Sequence, residues 1–119
     1  MDRNPLIEKL KTMETTLGLR VTHSDQVELA AFLGFDWFML DQMFTSADWS
    51  MTREVIKTGE ASGITPIIRV QGNPWLGYNH QLAMDATRAF GMGAQFVMVS
   101  HSGKREIEEC LQVTGDWHR

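Results

Sequence analysis

Arg69 stands between Ile68 and Val70 in the run Thr65-Pro66-Ile67-Ile68-Arg69-Val70, and a guanidinium in so apolar a segment needs an anion beside it. One anion is within the chain: Asp41, which ends the apolar run Trp37-Phe38-Met39-Leu40. The other would be a substrate carboxylate or enolate oxygen, which the planar guanidinium fork suits better than an ammonium does. The two readings are compatible, with Asp41 orienting the arginine for a ligand. Gln71, two residues past Arg69, adds a hydrogen-bonding amide at the same place. Thr22-His23-Ser24 and Ser100-His101-Ser102 follow two further apolar runs. In each the serine suits the cap of a following helix, so His23 and His101 read first as loop or interface groups and only secondarily as acid–base candidates. A metal set of two histidines and a carboxylate from His23, Asp41 and His101 is a third reading, which spacing does not decide. His80 has Asp85 five residues on, the wrong helical face for a shared metal, and reads as helix surface. No Ser/His/Asp order stands out, and Cys110, the sole cysteine, falls in a helical pattern and reads as a buried structural thiol.

Such residues act only where elements hold them, and two element types alternate along the chain. A preliminary helix is expected over Pro5 to Met13. Leu17 to Thr22 reads as a strand, followed by a helix capped by Ser24, with Val27, Ala30, Ala31 and Leu33 at helical spacing and Gly34 as its stop. Trp37 to Leu40 reads as a strand buried on both faces. A polar connection then leads to a helix from about Met51 to Ser62, ended by Gly63. Thr65 to Val70 is the third strand, its Pro66 near the start, where a missing N–H costs least. After a loop from Gln71 to Tyr78 come a helix over Asn79 to Phe90, a glycine break, a strand over Gln95 to Val99 and a helix over Lys104 to Val113. Gly34-Phe35-Asp36-Trp37-Phe38-Met39-Leu40 is echoed by Gly93-Ala94-Gln95-Phe96-Val97-Met98-Val99. Trp37, Phe38, Met39, Met43 and Phe44 read as core and loop packing, and Trp75 and Tyr78 as pocket-lining or interface residues.

Strand–helix alternation predicts a parallel sheet in one α/β domain over residues 1–119, and the candidate residues fall at the strands' carboxyl ends, where such folds bind ligands. A doubly wound sheet and a barrel both fit. Neither a G-x-G-x-x-G nor a phosphate-loop pattern follows a strand, which favours the barrel. The 119 residues, 43% apolar and 22% charged, describe an ordinary globular domain. Net charge is −4 and no basic cluster exceeds Lys104-Arg105, which argues against nucleic acid. No apolar run reaches the ~20 residues of a membrane span. The polar start Met1-Asp2-Arg3-Asn4-Pro5 does not read as a signal peptide, and the single cysteine fits a reducing cytoplasm.

The segments Leu17-Gly18-Leu19-Arg20-Val21, Gly34 to Asp41, Pro66-Ile67-Ile68-Arg69-Val70 and Gly93 to Val99 occur in the order seen in the HpcH/HpaI aldolases, and the chain resembles their first four β/α units from about Leu17 to Val113. These are metal-dependent pyruvate-enolate aldolases with (β/α)₈ barrels. The resemblance implies half of such a barrel with an extra N-terminal helix. It implies that Arg69 holds a pyruvyl oxygen and that Asp41 is the aspartate closing strand two. Where the family continues Gly-Glu-His, with histidine as acid/base, this chain has Gln42-Met43-Phe44. The family's metal-binding Glu and Asp belong to a half not found here, so Mg²⁺ or Mn²⁺ would be held by a partner or that missing half.

The resulting expectation is a subunit or fragment of a carbon–carbon lyase acting on 2-oxo acids such as pyruvate adducts. The substrate site would be Arg69, Asp41 and Gln71, with no metal ligand in this chain. The alternative is a non-catalytic, aldolase-like carboxylate-binding or assembly protein. Open edges on strands one and four predict an oligomer, made either from copies of this chain or with a complementary half-barrel chain, and a piece of a longer chain is a third expectation.

Overall fold

The computed structural model describes residues 4–72 and 81–114. Helix α1 spans Pro5–Lys11, β1 Gly18–Val21, α2 Ser24–Phe32, β2 Trp37–Asp41 and α3 Trp49–Ser62. Then come β3 Thr65–Arg69, α4 Gln81–Gly91, β4 Phe96–Met98 and α5 Lys104–Thr114. The predicted elements are all present; β1, β3 and β4 are shorter than expected by one or two residues, and β2 is longer by one, taking in Asp41. Trp75, Tyr78 and His80 lie outside the described residues.

The four strands form one parallel sheet in the order β1-β2-β3-β4. Alternate residues face opposite sides. On one side Val21, Phe38, Leu40, Pro66 and Ile68 are fully buried. They meet Val27 and Ala30 of α2, Val55 and Ile56 of α3, and Leu82, Ala86 and Ala89 of α4 in a single core. Each of these side chains contributes of order 1.5–3 kcal/mol where it is large and apolar. Val97 and Val99, on the same side of β4, line a cavity with residues of α4 and α5. The three crossover helices α2, α3 and α4, and α5 after β4, thus cover one face. A doubly wound sheet needs helices on both faces and a reversal of strand order; neither occurs, and the alternation instead gives half of a barrel wall.

The other face is the one a barrel would turn inward. Met39 and Ile67 are only partly buried, Met98 is 39% exposed, and the Arg20 side chain is exposed. The strands expected to be buried on both faces are therefore covered on one. Their continuous apolar sequence suits a closed barrel, of which these residues supply half the wall. Gly18 is required on this inner face: the Trp37 ring lies so close that a β-carbon there would stand 2.0 Å from it.

Helix α1 closes the strands' amino-terminal end. Asn4 Oδ1 accepts the Leu6 N–H at 2.9 Å and the Thr65 hydroxyl at 3.3 Å, and the Asn4 amide also bonds Gln95. Lys9 Nζ donates to Asp36 Oδ1 at 2.6 Å, while Asp36 Oδ2 accepts the Leu17 N–H at 2.9 Å. These bonds hold the Asp36 carboxyl below its ordinary range, first through Lys9 and then through Leu17. Two expected caps differ. Ser24 is the first helical residue and its hydroxyl donates to Glu54 at 2.8 Å. His23 is the N-cap, because Gln26 reaches back to accept the Thr22 and His23 N–H groups. Ser102 bonds the Ser100 carbonyl, and the first turn of α5 is met by Glu106 accepting the Gly103 N–H. The longer glutamine and glutamate side chains reach donors that the serines do not.

Candidate functional site

Asp41 and Arg69 are direct register partners at the carboxyl ends of β2 and β3. Both belong to the inner-face set, so their side chains rise on the open side of the sheet. Asp41 is fully buried, and its two oxygens have separate tasks. Oδ1 accepts the Met43 N–H at 2.8 Å and the Phe44 N–H at 3.1 Å, which fixes the turn leaving β2. Oδ2 lies 3.5 Å from Arg69 Nη1 and 3.7 Å from Arg20 Nη2. The carboxylate thus anchors two guanidiniums, one from each neighbouring strand.

Arg69 is held at three points. Besides the carboxylate, its Nε donates to Ser100 Oγ at 2.8 Å, and its guanidinium carbon lies 4.8 Å from the centre of the Phe44 ring. Nη2 makes no hydrogen bond to the described residues, which leaves donors for a ligand. With its side chain 18% exposed, Arg69 is sheltered yet reachable. Two guanidiniums and one carboxylate leave one positive charge on the rim. The chemistry this permits is the binding of a carboxylate or an enolate oxygen by a planar, oriented donor.

The predicted residues divide accordingly. Asp41 and Arg69 come together as the spacing suggested. Gln71 follows β3 but is exposed. His23 and His101 are exposed on β1 and β4 sides of the sheet, separated by two strands, of order 14 Å. They do not assemble with Asp41, whose second oxygen is already shared by two arginines. Among the described residues no three His, Cys, Asp or Glu side chains could hold a metal ion. A divalent cation at Asp41 would also face two guanidiniums, so these residues do not fit a metal. Cys110 is buried, as expected, and burial pushes its thiol pKa up.

Three groups were missed. Arg20 was read only as part of the strand Leu17 to Thr22; its register opposite Met39 places it one step below Asp41. Phe44 was read as packing, and Ser100 only as one of several polar strand ends.

No protein-family model and no curated protein matches the sequence. Solved structures do match. Citrate synthase SbnG superposes over 94% of this chain with a TM-score of 0.78 at 22% identity, and a variant of that enzyme over 86% with a TM-score of 0.67 at 23% identity. The HpcH/HpaI aldolase from Desulfitobacterium hafniense DCB-2 superposes over 91% with a TM-score of 0.74 at 16% identity. The chain has the fold of half an aldolase barrel. It spans 44%, 40% and 40% of the lengths of those three chains. Identities this low establish the shared architecture alone. The half-barrel's rim is where such folds carry ligands, and Arg69, Asp41, Arg20 and Ser100 all stand there. Among the described residues, no helix of the half-barrel is long and apolar enough to cross a membrane.

Proposed function

We propose that this half-barrel is the oxo-acid-binding part of a carbon–carbon lyase that acts on 2-oxo acids such as pyruvate adducts in the cytoplasm. The observation that carries the reading is Arg69 on the open face, at the carboxyl rim, clamped by Asp41 and Ser100 with donors to spare. Charge builds on the pyruvyl oxygen as an enolate forms, and a guanidinium already fixed in place stabilises that charge without reorganising. The lyase would be metal-dependent through Mg²⁺ or Mn²⁺ held by carboxylates of a complementary half, because the described residues bring no three such ligands together. That half would come from another copy, a separate chain or further sequence.

Phe44 favours the second reading, a non-catalytic carboxylate-binding or assembly protein. By the resemblance it stands where the aldolases have their acid/base histidine, and a phenyl ring over Arg69 moves no proton. Both readings need the same anion site. Calorimetric titration with pyruvate or oxamate, with and without Mg²⁺ or Mn²⁺, tests it. Arg69→Ala is expected to weaken binding by about tenfold or more with the fold intact; unchanged affinity would remove the proposal. Release of pyruvate from a hydroxy-oxo acid adduct then separates the lyase from the binder.

A further inference from the structure

The two guanidiniums that share Asp41 are restrained very differently. Arg69 is fixed at three points and its side chain is 18% exposed. Arg20 reaches Asp41 Oδ2 only at 3.7 Å, too far for a hydrogen bond, and its side chain is 54% exposed. Among the described residues nothing takes its N–H donors, so the whole guanidinium fork is open on the inner face. One buried carboxylate needs one cation, and Arg69 supplies it at 3.5 Å. Arg20 is surplus to that pair, and the surplus is the positive charge that the rim keeps.

The placement of the two heads suits neighbouring oxygens of one small molecule. Arg20 comes from β1, where its register partner is Met39, and Arg69 from β3, opposite Asp41 itself. They approach Asp41 Oδ2 from the two flanking strands, so Arg20 Nη2 and Arg69 Nη1 stand at most about 7 Å apart. A gap of that size takes a molecule with two acceptor oxygens on adjacent carbons, each hydrogen-bonded at ~2.9 Å. A 2-oxo acid has that arrangement, its carboxylate next to its oxo group. A second carboxylate farther along the molecule has no cation left to meet it, because the one positive charge kept by Arg20, Asp41 and Arg69 is neutralised by the first.

Restraint decides which oxygen goes where. Charge that builds on the oxo oxygen as an enolate forms is stabilised by a donor that does not have to move, and that donor is Arg69. A carboxylate carries its charge from the start, and a loosely held guanidinium can meet it on entry and close on it with paired, coplanar N–H groups. We infer that Arg20 is the specificity-determining residue of this site, holding the carboxylate of a 2-oxo acid whose oxo oxygen lies on Arg69. The inference rests on the reading of Arg69 as an oxo-acid binder and adds the residue that makes the site select acids over uncharged 2-oxo compounds. It also sets the ligand's direction, with the carboxylate towards β1 and the oxo oxygen towards β3.

Ligand-observed NMR titrations of the whole chain with pyruvate and with pyruvamide, its uncharged amide, test this. The native chain is expected to prefer pyruvate by about tenfold or more. Arg20→Ala changes an exposed side chain, so the circular dichroism spectrum should stay as it is. The variant is expected to bind pyruvate about tenfold more weakly and pyruvamide as before, which erases the preference. Arg20→Lys keeps the charge without the planar fork and should restore part of it. Arg69→Ala should weaken both ligands alike. Equal weakening of both ligands in Arg20→Ala overturns the inference, because the arginine would then act only through Asp41; an unchanged preference in that variant overturns it too. If Arg69→Ala still loses pyruvate in either case, the proposed function stands alone. A native chain that binds neither ligand overturns both.

Discussion

Asp41 is bound through both oxygens, and its two halves separate by mutation. Asp41→Ala leaves two backbone N–H groups and two guanidiniums without their acceptor, and is expected to cost about 3 kcal/mol in urea denaturation. Asp41→Asn keeps an oxygen for the turn and loses only the charge, so about 1–2 kcal/mol is expected. Both variants should weaken oxamate binding, because Arg69 loses one of its clamps. The importance of Asp41 and Arg69 was legible in the sequence, since a charge at the end of an apolar run has few ways to be satisfied. Arg20 was not, because its meaning depends on register, and no local pattern in β1 shows which residue of β2 it will face. Phe44 was legible only as an aromatic; its place over a guanidinium is a tertiary fact.

At the scale of elements, two carboxylates outside the site oppose each other as the pH changes. Asp85 is buried on the same stripe of α4 as Leu82, Ala86 and Ala89, and it accepts the Gly72 N–H at 2.9 Å and the Gln81 amide at 2.7 Å. Burial raises its pKa despite those bonds. Its native form therefore holds a proton more tightly than the unfolded chain does. Stability is expected to fall as pH rises from the unfolded value near ~3.9 through the raised native one. Asp36 behaves in the opposite sense: its pKa is lowered, and the stability it adds is present above ~3.9 and lost as pH falls through the lowered value. Denaturation of Asp85→Asn and Asp36→Asn across the acid range should show the first flattening one slope and the second the other. In β1, Gly18→Ala forces the Trp37 ring to move and should cost about 1–3 kcal/mol, read from the denaturant midpoint. The elements themselves were readable from glycine stops and apolar runs. Asp85 was passed over because a carboxylate in a helix usually means surface, although its place on an apolar stripe was a usable signal. The caps were misread because Ser24 and Ser102 have good capping side chains but Gln26 and Glu106 are placed to reach the donors.

For the whole molecule, strand order was the question that alternation alone left open. Both a doubly wound sheet and a barrel begin from the same string of elements; the sequential order and the one-sided helices decide for the barrel wall. The uncovered inner face was legible from the count of units, since four β/α units close only half a ring and leave its lumen side wet. If copies of the chain associate through the open β1 and β4 edges, the melting temperature should rise with protein concentration, whereas that of a lone folded chain should not. The sole thiol offers a clock for the same event. Cys110 lines the cavity at the β4 margin, and its raised pKa makes it slow to form the thiolate that a disulfide reagent needs. Its labelling half-life should lengthen on concentrating the protein if that margin associates, and shorten in Leu111→Asp, so one cysteine becomes a stopwatch for how often the β4 margin comes undone.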